Sequence, residues 1–268
     1  MGTDLRIKFG VLGPLLVQCG AARLPIPPGK QRALLAALLL AANQLVSYDA
    51  LIDTLWGGDP PPSARVSLQN YVKRLRRSLT GCDRIGTERR GYLIRVLPGE
   101  LDLQDFEELA RAGRVAARAS DWAAAAGRFG EALSLWRGEP LADVCADVLV
   151  QREVPRLAEL RLQTLESRID ADLRLGRHGE VIAELRRLVA VNPLRERLVQ
   201  LLMIALYGDG QRAGALAAYR AAQRTLVDEL GIEPGAGLQE LHRLLLTESQ
   251  MAAVGSGRRA HRDTRAAS

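Results

Sequence analysis

The chain of 268 residues has room for two domains, each with its own core. With 47% apolar and 25% charged residues, its composition is that of a globular protein and excludes a disordered or fibrous chain. The formal charge of +6 is unevenly placed: residues 1–100 hold 14 Lys+Arg against 7 Asp+Glu, 101–250 hold 19 against 23, and 251–268 hold 4 against 1, so only the front of the chain suits a polyanion.

Leu5 to Val17 predicts two short strands broken at Gly13-Pro14, with a third around Arg23 to Ile26. Pro25, Pro27 and Pro28 then stop the sheet, and Gly29-Lys30-Gln31-Arg32 opens a buried helix running to about Asn43. The Gly-Lys pair is not a phosphate-binding loop. Leu24 stands where that loop needs its first glycine, and Gln31 where it needs a magnesium-holding hydroxyl. Lys30 and Arg32 read instead as contacts to a DNA phosphate at a helix N-terminus. Ser47 caps a second helix, YDALIDTLW. The loop Gly57-Gly58-Asp59-Pro60-Pro61-Pro62 that follows is stiff, exposed and unusually long for a helix-turn-helix, so it serves as a spacer or as a contact.

The most informative stretch is Ser63 to Val96. Ser63 can cap a helix whose apolar face is Ala64, Leu68, Tyr71/Val72, Leu75 and Leu79. A rotation of about 100° per residue puts Val66, Gln69, Asn70, Lys73, Arg74 and Arg77 on the other side. That face holds three cations, two amides and a valine, and no acid. It can meet phosphates, base edges and a thymine methyl together. Alone, such a helix is more commonly a solvated face. Arg84 to Val96, however, alternates as a hairpin with Arg89 and Arg90 beside Gly91-Tyr92. A basic helix followed by a basic wing grips a duplex at two points, with the helix in the major groove and the wing on adjacent backbone.

The segments FGVLGPL, PPGKQRALLAALLL, LWGGDPPPSAR, LQNYVKRLRRSL and RRGYLIRV together resemble the winged-helix domain of the Streptomyces antibiotic regulatory protein family. That domain is similar to the response-regulator output domain typified by OmpR. EALSLWRGEPLADV and VDELGIEPGAGLQELHRLLL resemble the family's bacterial transcriptional activation domain, so the resemblance covers about residues 5–250. Within the family the chain resembles the AfsR-type global regulators. The resemblance implies DNA-reading roles for Val66, Ser67, Asn70, Lys73 and Arg74, with Leu68, Val72 and Leu75 in the core. It also implies two protomers side by side on direct repeats near the −35 region, engaging RNA polymerase through its σ factor and other subunits, at antibiotic or other secondary-metabolite genes.

Asp102 to Leu246 is nearly all helix. SDWAAAAGRF, GRHGEVIAEL and GQRAGALAAY overlay, and Gly176 to Gly210 spans 34 residues, the period of tetratricopeptide units. Trp122, Trp136 and Tyr219 sit at helical spacings as core residues, and Pro193 and Pro234 end helices. Gly255 to Ser268 reads as a disordered tail, or as the start of a linker to further domains.

Chemistry is not indicated. Cys19, Cys82 and Cys145 are widely spaced and in no CxxC pattern, which speaks for reduced thiols rather than a disulfide framework or zinc site. His178, His242 and His261 lack triad partners at marked spacings, and no nucleotide or metalloprotease motif occurs. No leader and no apolar run of bilayer length is present, so the expectation is a cytoplasmic, nucleoid-associated protein without cofactor, metal or membrane partner.

The expected fold is mainly α: an OmpR-type winged helix over 1–100, an all-α tetratricopeptide-like activation domain over 101–250, and a tail over 251–268. The expected DNA-binding residues are Lys30, Arg65, Val66, Ser67, Gln69, Asn70, Lys73, Arg74 and Arg77, with Thr87, Arg89 and Arg90 on the wing and Tyr92 packing the hairpin. Trp56, Gly57, Gly58 and Asp59 are expected to touch polymerase. The competing readings are a repressor, a protein-binding repeat scaffold with an incidental basic front, and a nucleotide-regulated enzyme fragment.

Overall fold

A computed structural model describes residues 7–79 and 84–247, and it is mainly helical. Two antiparallel ribbons frame the N-terminal part. In the first, β1 (Ile7–Gly10), β2 (Leu16–Cys19) and β3 (Ala22–Arg23) lie in sequence order, with Phe9 opposite Val17. The break at Gly13-Pro14 is the predicted turn. Helix α1 (Lys30–Leu40) follows and is apolar all round, because α2 (Tyr48–Trp56), α3 (Ala64–Ser78) and the wing enclose it. Leu34, Leu35, Leu38 and Leu39 are all fully buried.

The wing is β5 (Ile85–Glu88) and β6 (Gly91–Ile94), and the expected hairpin is present. A third strand, β4 (Val46–Ser47), pairs with β6 and gives the order β4-β6-β5. Its two residues were too short to signal a strand in sequence. Gly91 makes this pairing possible, since a Cβ there would lie 1.9 Å from the Val46 carbonyl oxygen. Asn43, at φ 65°, ties the end of α1 to β6: its N–H donates to the Ile94 carbonyl, and its side chain exchanges two bonds with Val96.

Ser47 caps α2 as expected, its hydroxyl accepting from the Ala50 N–H at 3.1 Å. Ser63 does not cap α3 with its side chain. Its ψ of 9° is far from the extended geometry that aims a capping hydroxyl down the helix. The proline-stiffened loop instead brings the Pro61 carbonyl onto the Ala64 N–H at 2.8 Å.

Helices begin at Asp102 as the change of periodicity predicts, but α4 (Asp102–Arg118) and α5 (Trp122–Ser134) share the core of the N-terminal elements. Phe106, Trp136, Leu141 and Val144 join one cluster with Ile7, Phe9 and Leu12. Carboxylates lock this junction. Asp102 accepts from the Val11 and Leu12 N–H groups and pairs with Arg137 at 3.0 Å. Asp143 accepts from Leu15 N–H at 2.7 Å and pairs with Arg32 at 2.5 Å. The compact unit therefore extends to Leu165, and the second begins at Glu166, inside α6 (Asp147–Arg174).

The second unit stacks α7 (His178–Val191), α8 (Glu196–Gly208) and α9 (Arg212–Leu230), followed by a helix over 236–247. Ion pairs Arg195–Glu166 (2.7 Å) and Arg197–Asp170 (2.8 Å) brace it, as do bonds from Arg168 to Asp172 and Glu184. The three overlaid sequence segments share one turn. Ser120, Gly176 and Gly210 are left-handed (φ 58°, 80° and 78°), and each donates to a carbonyl three residues back. The next residue, Asp121, Arg177 or Gln211, donates five back. This is the two-bond Schellman stop, repeated three times. Trp136 and Tyr219 are buried as expected, whereas Trp122 is only half-buried. Residues 80–83, including Cys82, and the tail 251–268 lie outside the described residues.

Candidate nucleic-acid interface

Helix α3 buries Ala64, Leu68, Val72 and Leu75, the phase predicted from spacing. That burial turns Arg65, Val66, Gln69, Asn70, Lys73, Arg74 and Arg77 out to solvent, with Ser67 half-buried at their edge. Val66 is 60% exposed. The described part of this face carries no acid over Ala64–Ser78. At the hairpin tip Arg89 and Arg90 are exposed, and Thr87 is exposed on β5. Tyr92 is buried and meets Tyr48 edge-to-face at 5.3 Å, so it packs the hairpin. Burial pushes the Tyr92 hydroxyl above its usual pKa of 10, with Tyr48 adding to the rise and Arg76 and Arg65 opposing it.

Two side chains tie helix to wing. Arg76 donates from Nε and Nη2 to the Ile85 carbonyl at 3.1 and 2.8 Å, and from Nη2 to the Thr87 hydroxyl at 2.7 Å. Tyr48 donates its hydroxyl to the Glu88 carbonyl and its N–H to the Arg90 carbonyl. The Arg65 guanidinium sits 4.3 Å from the Tyr48 ring centroid. Neither Arg76 nor Tyr48 stood out in sequence. The available signal was position: Arg76 follows Val72 by one turn, at the border of the apolar face where the next element must pack.

Lys30 and Arg32, read in sequence as phosphate contacts, each have partners within the fold. The Lys30 ammonium donates to the Leu55 carbonyl and lies 5.6 Å over the Trp56 ring. Arg32 is engaged by Asp143 and the Ile26 carbonyl. Both cations thus have partners within the fold, and both are half-buried. In the loop, the Trp56 ring stacks on Tyr71 at 6.2 Å and is half-buried. Gly57 is the left-handed end of α2, at φ 66°. Gly58, Asp59 and the three prolines are the exposed part.

The profile described as "Bacterial transcriptional activator domain" matches residues 101–246, and "Transcriptional regulatory protein, C terminal" matches 27–94. Regulatory protein DnrI of Streptomyces peucetius is 39% identical, over 90% of this chain and 92% of its own. The chain belongs to the Streptomyces antibiotic regulatory protein family of transcriptional regulators. Regulatory protein AfsR of Streptomyces coelicolor is 44% identical over 90% of this family member, which spans about a quarter (24%) of AfsR. The structure titled "Mycobacterium tuberculosis EmbR in complex with low affinity phosphopeptide" superposes with a TM-score of 0.88 at 35% identity, covering 91% of this chain and 65% of that one. Among the described residues, no helix is long and apolar enough to cross a membrane.

Proposed function

We propose that the chain is a sequence-specific DNA-binding transcription activator, with α3 as its recognition helix and β5–β6 as its wing. The observation that carries this is the acid-free outer face of α3, flanked by Arg89 and Arg90 at the hairpin tip. Asn70, Lys73, Arg74 and Arg77 read or clamp a major-groove half-site, with Arg65, Val66, Ser67 and Gln69 at the same face. Arg89 and Arg90 rest on backbone phosphate.

Two protomers side by side occupy direct repeats about one helical turn apart, near the −35 region of secondary-metabolite promoters. The loop at Gly58-Asp59 and the helical region 101–250 recruit RNA polymerase, including its σ factor. Prolines 60–62 restrict the loop before any partner arrives, which lowers the cost of ordering it. A methyl group at Gly58 would meet no heavy atom within 4 Å, so alanine there leaves the fold intact.

The test uses a duplex selected by the full chain from a randomised pool and placed upstream of a weak −35 element. Gly58→Ala/Asp59→Ala should keep the footprint and lower transcript from purified holoenzyme. A footprint lost together with transcript would reject recruitment through the loop. Binding that ignores sequence and weakens only slightly with salt would reject DNA reading by α3.

A further inference from the structure

Arg76 is an exposed cation at the junction of α3 and β5, outside the face assigned to base reading. Its guanidinium is already held in place. Nε and Nη2 grip the Ile85 carbonyl, and the second Nη2 hydrogen goes to the Thr87 hydroxyl. A guanidinium is planar, with five donors in fixed directions. Three are taken by these contacts, and among the described residues none accepts from Nη1. The inner Nη1–H runs parallel to the Nη2–H that meets Thr87, so it emerges beside that hydroxyl. Thr87 accepts from Arg76, and this leaves its own O–H proton for a second acceptor. Ile85 and Thr87 alternate with Glu88 along β5, so the Glu88 carboxylate leaves on the opposite side of the strand.

We infer that Arg76 Nη1 and the Thr87 hydroxyl form a preformed seat for one DNA backbone phosphate per protomer, at the junction of recognition helix and wing. This rests on the proposed DNA binding and adds a residue to it. The seat has one full positive charge, two converging donors and a guanidinium whose geometry is fixed before DNA arrives. Charge-assisted bonds to phosphate are the strong kind, and pre-organisation removes most of the ordering cost of a long side chain. It also gives Arg76 a role distinct from that of Arg89 and Arg90, which sit exposed at the hairpin turn and would meet backbone without a prearranged partner.

The experiment pairs protein variants with uncharged phosphates. Full chain is titrated onto its pool-selected duplex, and single methylphosphonates are walked through each half-site. One position per half-site should weaken the wild-type protein about tenfold, the size of one charge-assisted bond. The same substitution should leave Arg76→Met nearly unaffected, and Thr87→Val should show a partial loss of that sensitivity. The salt slope of Arg76→Met should fall by about 0.9 per protomer. Thr87→Val keeps both bonds to the Ile85 carbonyl, so it separates the seat from the brace if Arg76→Met loosens the wing. Equal sensitivity of wild type and both variants at every methylphosphonate would overturn the seat while leaving DNA reading intact. Failure of the wild-type protein to select any duplex would overturn the DNA-binding reading and the seat with it.

Discussion

Asp102→Ala tests whether the start of the activator region is part of the same folded body as the N-terminal sheet. The Asp102 carboxylate is 12% exposed and accepts from Val11 N–H at 2.8 Å and Leu12 N–H at 3.1 Å, residues 91 and 90 positions away. Both donors belong to fully buried residues. Alanine leaves them without an acceptor, at about 1.5–3 kcal/mol for each bond to a charged group. Loss of the partner of Arg137, itself a third exposed, adds about 0.5–1 kcal/mol. Water reaching the site through the exposed edge of the carboxylate returns part of this, so the net cost is roughly 3–5 kcal/mol. For a unit of this size that lowers Tm by roughly 6–20 °C. Trp56, Trp122 and Trp136 all lie before Leu165, so intrinsic fluorescence in a urea titration reports the first unit, while far-UV circular dichroism reports both. Fluorescence should show the early transition. Asp102→Asn, which keeps one acceptor oxygen, should lose less. A change below about 1 kcal/mol for Asp102→Ala would refute the claim that this carboxylate holds sheet and helix together.

Asn70→Ala should cost roughly 1–3 kcal/mol on the selected site and relax preference at one base pair, whereas Arg89→Ala/Arg90→Ala should weaken all sequences alike, both read by competition against single-base variants. A fragment ending at Glu100 loses Leu103, Phe106, Trp136 and Leu141 from its core, so it should melt well below a fragment ending at Leu165, as measured by circular dichroism. The His242 ring stacks on Tyr219 at 3.8 Å, and burial, then Arg220, hold its pKa below the ordinary 6.5. The unfolded chain therefore takes up the proton first, so the second unit should lose stability as pH falls through about 6.5. His242→Phe should remove that dependence, and hydrogen exchange in 236–247 between pH 7.5 and 5 would measure it.

Local periodicity carried much of this protein. Leu68, Val72 and Leu75 fixed the phase of α3, because a helix turns by a constant angle per residue and burial of one face exposes the other. The alternation behind the wing and the small-residue turns at Ser120, Gly176 and Gly210 were legible for the same reason: each is set within six residues. Ser63 shows the limit of such reading, since its capping depended on a ψ angle that the residue type alone does not set. Lys30, Arg32 and Arg76 show it more fully. A cation in sequence carries no mark of whether a carbonyl or carboxylate will meet it. Lys30 found Leu55, Arg32 found Asp143 111 residues later, and Arg76 found the wing. The same holds for the first unit's extent. The sequence changes period near residue 100, but Asp102 binds the backbone of Val11 and Leu12, and Phe106 buries against the N-terminal core. Such pairings follow from which surfaces meet after the chain has closed long loops, and no local pattern records them. The sequence by itself determined the elements and their faces. Tertiary structure alone decided which charges remain for a partner.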